Sequence, residues 1–216
     1  MRDAYPRSHM SPPRYAIAYT PPPESPLARF GASVLGYDCY QGADVPLAAV
    51  GGLAPAILRL MTVEAGRSGF QASFMSPFGL EDGAEQELID AAERFAKGQP
   101  VVPVGPLAVA TDGVRVVVRP VEEPAQLVAL ALLCREAFAR WCDGAAHPNG
   151  KRQAFRFQMT LAGSAPGVAL PSVTKALADA FVPMARDHLE LDAISLLRED
   201  DRQRFRVVER WRLTGR

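Results

Sequence analysis

The chain has 216 residues, of which 48% are hydrophobic and 22% are charged, and its 24 basic and 24 acidic side chains leave no formal net charge. This composition is ordinary for a globular protein, and the even charge balance argues against wholesale binding to nucleic acid or to an acidic membrane surface. No apolar run approaches the ~20 residues that a membrane-spanning helix needs. The 3 cysteines, without a Cys-x-x-Cys pair, favour a reduced protein of the cytoplasm.

The polar, proline-rich segment 1–13 lacks the apolar stretch of a signal peptide, so we expect a disordered leader there. The remainder, 14–216, is long enough for one substantial domain or two small lobes. We expect it to form a single domain of two similar lobes.

Strands and helices are expected to alternate along the chain. The predicted strands are 14–20, 69–77, 101–110, 114–119, 154–161, 189–198 and 203–214; the predicted helices are 26–36, 54–60, 81–97, 124–141 and 172–188, with irregular segments at 38–52 and 143–152. Ser25 is the expected N-cap of the first helix, Gly98 is expected to end the third, and Asp112-Gly113 predicts a two-residue hairpin. Strands outnumber helices and several pair in hairpins, which predicts an α+β fold with antiparallel sheets.

Two of the predicted strands, 69–77 and 154–161, repeat one pattern of side chains. Because successive side chains of a strand point to opposite faces, each strand is expected to bury an aromatic face and to carry a glutamine and a hydroxyl on the other. The aromatic faces hold Phe70, Ala72 and Phe74, and Phe155, Phe157, Met159 and Leu161; the opposite faces hold Gly69, Gln71, Ser73 and Met75, and Arg156, Gln158 and Thr160. The repetition is compatible with two related halves.

The polar faces of these strands form a candidate binding site. If a pseudo-two-fold axis relates the halves, the polar faces converge on one cleft, lined by Gln71, Ser73, Gln158, Thr160 and Arg156. Amides, hydroxyls and a guanidinium together suit an oxyanion such as phosphate. The plainer alternative is that these side chains face solvent on half-buried antiparallel strands.

Other polar and aromatic residues have simpler interpretations. Tyr19 shares a strand face with Ile17 and either fills the core or stacks on the base of a ligand, and we favour the core.

The histidines His9, His147 and His188 are expected at the surface, the last at the end of helix 172–188. No zinc or P-loop motif occurs, so we expect no metal and no cofactor.

A basic hairpin is predicted near the end of the sequence. Its even-numbered arginines are expected to share one strand face; they are Arg202, Arg204, Arg206, Arg210 and Arg212. Such a face either extends a phosphate-binding cleft or contacts RNA, or it is a solvated strand whose charges prevent edge aggregation. We favour the solvated strand, so nucleic acid is possible as a partner but not favoured.

The segments 69–78 and 155–163 resemble the two signatures of the two-histidine (2H) phosphoesterase superfamily, in which histidine is followed two residues later by threonine or serine. The segments 14–23 and 205–211 resemble the branch of that superfamily encoded in phosphonate-utilisation operons. The resemblance implies two similar lobes, with antiparallel sheets flanked by helices, around a central cleft. It also implies a phosphodiester substrate, two histidines as general acid and base, a hydroxyl that holds a phosphate oxygen, and no metal.

The sequence departs from that pattern at its chemical centre. Gln71 and Gln158 stand where the superfamily has histidine, and Met75 stands where many relatives of the branch have lysine. A glutamine amide forms hydrogen bonds but cannot shuttle a proton, so the help that general acid–base catalysis supplies, ~10²–10⁴-fold in rate, is lost. The resemblance then implies a protein that binds a phosphorylated or phosphonate-like small molecule, or a nucleotide end, without efficient hydrolysis.

Two alternatives stay open from the sequence. One is an active phosphodiesterase, or another enzyme, that uses a modified cleft; acidic residues are scarce in the sequence around the motifs, which counts against a replacement base. The other is a partner-binding pseudoenzyme in which the cleft is unused. The sequence does not indicate the oligomeric state.

Overall fold

The computed structural model describes residues 12–141 and 155–215, and within them five α-helices and eleven strands form. The strands are β1 Arg14–Tyr19, β2 Tyr37–Asp38, β3 Ala43–Asp44, β4 Ala72–Ser73, β5 Phe78–Gly79, β6 Val102–Asp112, β7 Arg115–Pro120, β8 Met159–Ala162, β9 His188–Leu191, β10 Ala193–Glu199 and β11 Phe205–Arg212. The helices are α1 Pro26–Leu35, α2 Pro55–Ser68, α3 Glu85–Gly98, α4 Ala125–Ala137 and α5 Leu170–Phe181. The leader up to residue 11, Cys142 and the whole predicted loop 143–152, with His147, lie outside the described residues.

Two antiparallel sheets organise the molecule. The first joins β11, β10, β1 and β4 in that order, and β5 pairs with the beginning of β1. The second joins β8, β7, β6 and β9, and β2 with β3 forms a separate small hairpin. Helix α3 packs on β10 and β11, α5 on β6 and β7, and α2 on β8. The predicted α+β fold with antiparallel sheets flanked by helices is confirmed.

The segment predicted as one strand, 189–198, is two strands in different sheets. The chain breaks at Asp192: β9 pairs with β6 in the second sheet, whereas β10 pairs with β1 in the first. The Asp192 carbonyl accepts a hydrogen bond from the Leu213 amide, which holds this crossing against the end of β11. An alternating pattern predicts a strand but does not name the sheet that the strand joins.

Capping and turn residues in the sequence predicted several boundaries of helices and strands to within one residue. The Ser25 side chain accepts a hydrogen bond from the Ala28 amide at 3.1 Å, so the predicted N-cap is confirmed, and Gly36 ends α1 in the left-handed conformation at φ 68°. In the β6–β7 hairpin Asp112 pairs with Arg115, so the loop is Gly113-Val114, one residue later than predicted. Gly113 has φ 61°, which fits the first central position of a type II′ turn.

Other boundaries differ from the prediction. Helix α2 runs to Ser68 instead of 60, because Leu58, Met61 and Ala65 continue a buried face at helical spacing. Helix α3 begins only at Glu85, and it includes Gly98 as its last residue instead of ending before it. The placement of His188 at a helix end was wrong: α5 ends at 181, a short 3₁₀ turn follows, and His188 begins β9.

One continuous core joins the two sheets. Tyr19 of β1 contacts Phe157 with ring centroids 5.6 Å apart, and Phe74 stacks on Phe155 at 5.9 Å. The predicted burial of both aromatic faces is confirmed, since Phe70, Ala72, Phe74, Phe155, Phe157, Met159 and Leu161 are all buried. Within the described ranges, no helix has the length and apolar character needed to cross a membrane.

Candidate functional site

Each motif lies where a short strand begins. Ala72 pairs with Tyr19 and Ser73 with Ala18, so the ladder between β4 and β1 covers these two positions. In the second motif the ladder to β7 begins at Met159. The predicted strands 69–77 and 154–161 are therefore shorter in the structure, and Gln71 and Gln158 each lie immediately before the paired residues.

Strand register places the motif hydroxyls on the faces away from the main core. Ser73 is exposed, and Ala72, which points the opposite way, is buried. Thr160 is half-buried opposite Val117, and its neighbours Met159 and Leu161 are fully buried. Both Gln-x-hydroxyl pairs therefore retain access to solvent while the intervening residues fill the core.

The fold brings the two motif strands next to each other. Cα atoms of β4 and β8 approach within 8 Å, although the strands belong to different sheets. The Ser73 hydroxyl donates to the Gln71 side-chain oxygen at 3.1 Å, which orients that amide. Gln71 and Gln158 are half-buried, and Arg156 is exposed beside the second motif.

A carboxylate that the sequence did not single out contacts the second motif. Asp112 Oδ2 accepts hydrogen bonds from Gln158 Nε2 at 2.8 Å and from Arg115 Nη2 at 2.6 Å. The bond from Gln158, followed by the bond from Arg115 and the charge of Arg156, lowers the pKa of Asp112 from its ordinary value. Acidic residues are scarce near the motifs along the sequence, but the fold brings the carboxylate of Asp112 into contact with the second motif.

A second carboxylate contacts the same segment through its backbone. Glu123 Oε1 accepts a hydrogen bond from the Phe157 backbone amide at 2.7 Å. Phe157 precedes Gln158, so Glu123 and Asp112 together hold the backbone and the side chain of the second motif. These two contacts could not be predicted from the sequence, because Glu123 is 34 residues from Phe157 and Asp112 is 46 residues from Gln158.

Two predicted ligand-binding residues are placed in the core. Met75 is 8% exposed and packs in the main cluster, because the β4 ladder ends at Ser73 and the alternation does not continue. Tyr19 is fully buried, with its ring against Phe157, and burial raises the pKa of its hydroxyl. Tyr19 belongs to the core face that the sequence favoured, but it also lines a cavity away from the motifs.

The predicted single face of arginines on β11 was wrong. A bulge opposite Leu196 and Leu197 changes the register, so that Arg206 pairs with Arg198 and Arg210 with Ser195. Those partners have opposite parity on β10, and the two arginines therefore lie on opposite faces. Arg210 is also paired with Asp192 through Nη2 and Oδ1 at 2.5 Å, so these charges do not form one free basic stripe.

The described residues include no group of three or more histidine, cysteine, aspartate or glutamate side chains arranged to hold a metal ion. Cys39 and Cys134 are buried cysteines. Burial raises the pKa of the Cys39 thiol to about 12, which keeps it protonated and unreactive at neutral pH.

The fold is that of the 2H phosphoesterases. A solved phosphoesterase matches with 17% identity and a TM-score of 0.55, covering 95% of this chain and 100% of the other. A Thermus thermophilus protein matches with 14% identity and a TM-score of 0.54, covering 94% and 98%. E. coli LigT complexed with phosphate matches with 18% identity and a TM-score of 0.53, covering 95% and 100%. At these identities the likeness establishes the fold.

The chain belongs to the family described as "Protein of unknown function (DUF1045)", whose model matches residues 74–148 and 152–206. A ribose 1,5-bisphosphate phosphokinase PhnN of Janthinobacterium sp. (strain Marseille) is 34% identical over 90 residues. That match covers 41% of this chain and 20% of the relative, so the chain spans about a fifth of that protein.

Proposed function

We propose that the cleft between the two motif strands binds a phosphorylated small molecule, or a nucleotide end, without hydrolysing it efficiently. The observation that carries the proposal is a Gln-x-hydroxyl pair at the start of each of two neighbouring strands, β4 and β8, with each hydroxyl on a face away from the core. In the 2H phosphoesterase superfamily, which the sequence resembles, the positions of these two glutamines are held by the histidines that act as acid and base.

The side chains of the cleft supply donors for an oxyanion. Since Ser73 donates to the oxygen of the Gln71 amide, the NH₂ group of Gln71 is left to donate to a ligand. Gln158 uses one N–H on Asp112 and has a second one, and Thr160 adds a hydroxyl. Arg156, exposed at the edge, supplies a fork of donors that matches phosphate.

Among the described residues near the cleft, no group has the properties of a replacement catalyst. A general base works best when its pKa lies near the operating pH, and the hydrogen bonds to Asp112 move its pKa the other way. Glu123 is engaged by the Phe157 amide. Glutamine does not titrate, so in the part of the chain that the structure describes neither proton transfer of a 2H reaction has an evident carrier.

Phosphate-bearing compounds are the appropriate ligands to test. LigT has been solved with phosphate, 3′-AMP, ATP and NADP⁺, and the PhnN relative is named for a ribose bisphosphate. Together with the sequence resemblance to the phosphonate-operon branch, these names support a phosphorylated or phosphonate ligand.

The decisive experiment restores the histidines. The wild type and the double variant Gln71→His/Gln158→His are assayed against 2′,3′-cyclic nucleotides and a generic phosphodiester. We expect turnover by the double variant alone, with a gain of at least ~10²-fold over the wild type. Robust turnover by the wild type would overturn the proposal and favour an active enzyme, and inactivity of both would favour a partner-binding protein.

Binding is tested separately from turnover. Inorganic phosphate and 3′-AMP are titrated calorimetrically into the wild type, Arg156→Gln and Thr160→Val, with Arg67→Gln on α2 as a matched control. We expect each cleft variant to weaken binding by about tenfold and the control to leave it unchanged. The proposal fails if neither compound binds the wild type.

A further inference from the structure

A cavity lies away from the motif strands, between the end of β1, the start of α1 and the connection from α5 to β9. It has a volume of about 340 Å³. Within the described part of the chain, its lining includes none of Gln71, Ser73, Arg156, Gln158 and Thr160. The cavity is therefore a different site from the proposed phosphate cleft.

Three carboxylates line this cavity. Asp187 and Glu190 are exposed at its rim, and Asp192 is half-buried further in. Asp192 pairs with Arg210, which also donates through Nε to the Thr20 carbonyl at 3.4 Å. Among the described lining residues none is lysine or arginine, so the two rim carboxylates give the mouth a negative charge.

The floor of the cavity carries an unsatisfied polar group. Tyr19 lines the cavity and is 0% exposed, and its hydroxyl has no hydrogen-bond partner among the described residues. A buried phenol without a partner is costly, and it is also ready to accept a hydrogen bond from a ligand. Burial and the neighbouring Asp192 carboxylate both raise the pKa of Tyr19, so the phenol stays neutral.

Most of the remaining wall is apolar, although Ser25 and His188 also line it. It includes Leu27, Leu107, Phe181 and Met184, which are buried or half-buried. A pocket with an apolar wall and a few converging polar groups is the usual form of a small-molecule site. Here those polar groups include three carboxylates and a phenol oxygen, which are acceptors for N–H donors.

We propose that this cavity binds a small organic amine in its ammonium form. The ammonium group lies between the Tyr19 hydroxyl and the carboxylate of Asp192, and the apolar body of the amine packs on Phe181 and Met184. Asp187 and Glu190 attract the cation at the entrance. This site does not depend on the proposed function of the phosphate cleft.

The test compares amines with neutral compounds of the same shape. Butylammonium and 2-phenylethylammonium are titrated calorimetrically against butanol and 2-phenylethanol at pH 7, each up to about 10 mM. We expect at least one ammonium compound to bind about tenfold more tightly than its alcohol. Failure of both amines to bind, or equal binding of amine and alcohol, would overturn the proposal.

Two variants separate ligand binding from a structural role. Tyr19→Phe keeps the ring against Phe157 and removes the unpartnered hydroxyl, so we expect an unchanged or higher Tm without ligand and an amine affinity about fivefold lower. Glu190→Gln at the exposed rim reduces amine affinity about threefold, and Glu93→Gln on α3 is the matched control. Unchanged amine affinity in both cavity variants would contradict the site.

Discussion

Gln158 donates its side-chain amide to Asp112 at 2.8 Å, across 46 residues of chain. Asp112 is the last residue of β6, and Arg115, its partner across the hairpin, donates to the same carboxylate oxygen. A tight turn between two strands thus presents a charged acceptor that orients the second motif glutamine. The same carboxylate also lies close to where the proposed oxyanion would bind.

Removing that negative charge is expected to improve anion binding. Asp112→Asn keeps an oxygen that can accept from Gln158, and it frees Arg115 and Arg156 from a competing anion. Because unit charges 4 Å apart in water interact by about 1 kcal/mol, we expect phosphate affinity to rise roughly fivefold. Calorimetric titration of inorganic phosphate measures this change.

The matched control is Asp179→Asn on α5, whose carboxylate pairs with Lys175 on an exposed helix face. It removes the same charge and is expected to leave phosphate affinity unchanged. Weaker binding by Asp112→Asn would show that the charge of Asp112 is needed to orient Gln158.

The ion pair between Arg14 and Glu199 should make stability depend on pH. Arg14 contacts the carboxylate with two nitrogens, at 2.9 and 2.6 Å, and these hydrogen bonds lower the pKa of Glu199. A carboxyl with a lowered folded-state pKa stabilises the protein above its unfolded pKa of about 4.3 and loses that contribution as the pH falls through its folded pKa.

Glu199→Gln should therefore lower the Tm at neutral pH, and the difference should shrink below about pH 4. Arg14 is 54% exposed, so the loss is limited to about 1 kcal/mol. Thermal unfolding of both proteins between acidic and neutral pH measures it. A difference that stays constant down to the acid limit would show that the ion pair is not its source.

A buried chain of hydroxyls connects β1, β10 and the β2–β3 hairpin. Tyr40 donates to the Pro21 carbonyl at 2.8 Å, so its oxygen must accept from Thr20 at 2.7 Å. Thr20 has then used its proton, and Ser195 must donate to it at 2.6 Å. The direction of all three bonds follows from the one carbonyl acceptor at the end.

Thr20→Val should interrupt this chain in the middle and leave Ser195 without a partner. We expect a loss of about 1–3 kcal/mol in the free energy of unfolding, measured by urea denaturation. Ser195→Ala removes only the first donor and should cost about 1 kcal/mol. Exposed Thr214→Val is the control, and equal stability of Thr20→Val and that control would refute the directed chain.

Helix α1 packs closely against the ring of Phe70 at Gly31. A methyl group at Gly31 would lie 2.1 Å from ring atoms of Phe70, far closer than atoms pack, and Phe70 is itself buried in the core. Gly31→Ala should destabilise the protein by about 1–3 kcal/mol despite the better helix propensity of alanine.

Gly98→Ala at the end of α3 is the opposite case, because its added methyl meets nothing within 4 Å. It should be neutral or stabilise the protein by up to about 1 kcal/mol. Urea denaturation of both variants tests the pair. Similar effects at the two positions would mean that the contact between α1 and Phe70 is not tight.

Features that depend on neighbours in the sequence were predictable. The Ser25 cap, the Gly113 turn and the two buried aromatic faces follow from hydrogen bonding, backbone freedom and alternation within a few residues. The motif pairs Gln71/Ser73 and Gln158/Thr160 were visible for the same reason, since a period of two places each pair on one face.

Contacts between distant residues were decided only by the tertiary structure. The break at Asp192 sends β9 and β10 to different sheets, and the bulge on β11 turns Arg206 and Arg210 to opposite faces. Asp112 meets Gln158, and Tyr19 meets the cavity, because strands far apart in sequence pair in one register. Alternation determines which face a side chain occupies, but strand pairing determines what that face meets, and pairing is a property of the whole chain.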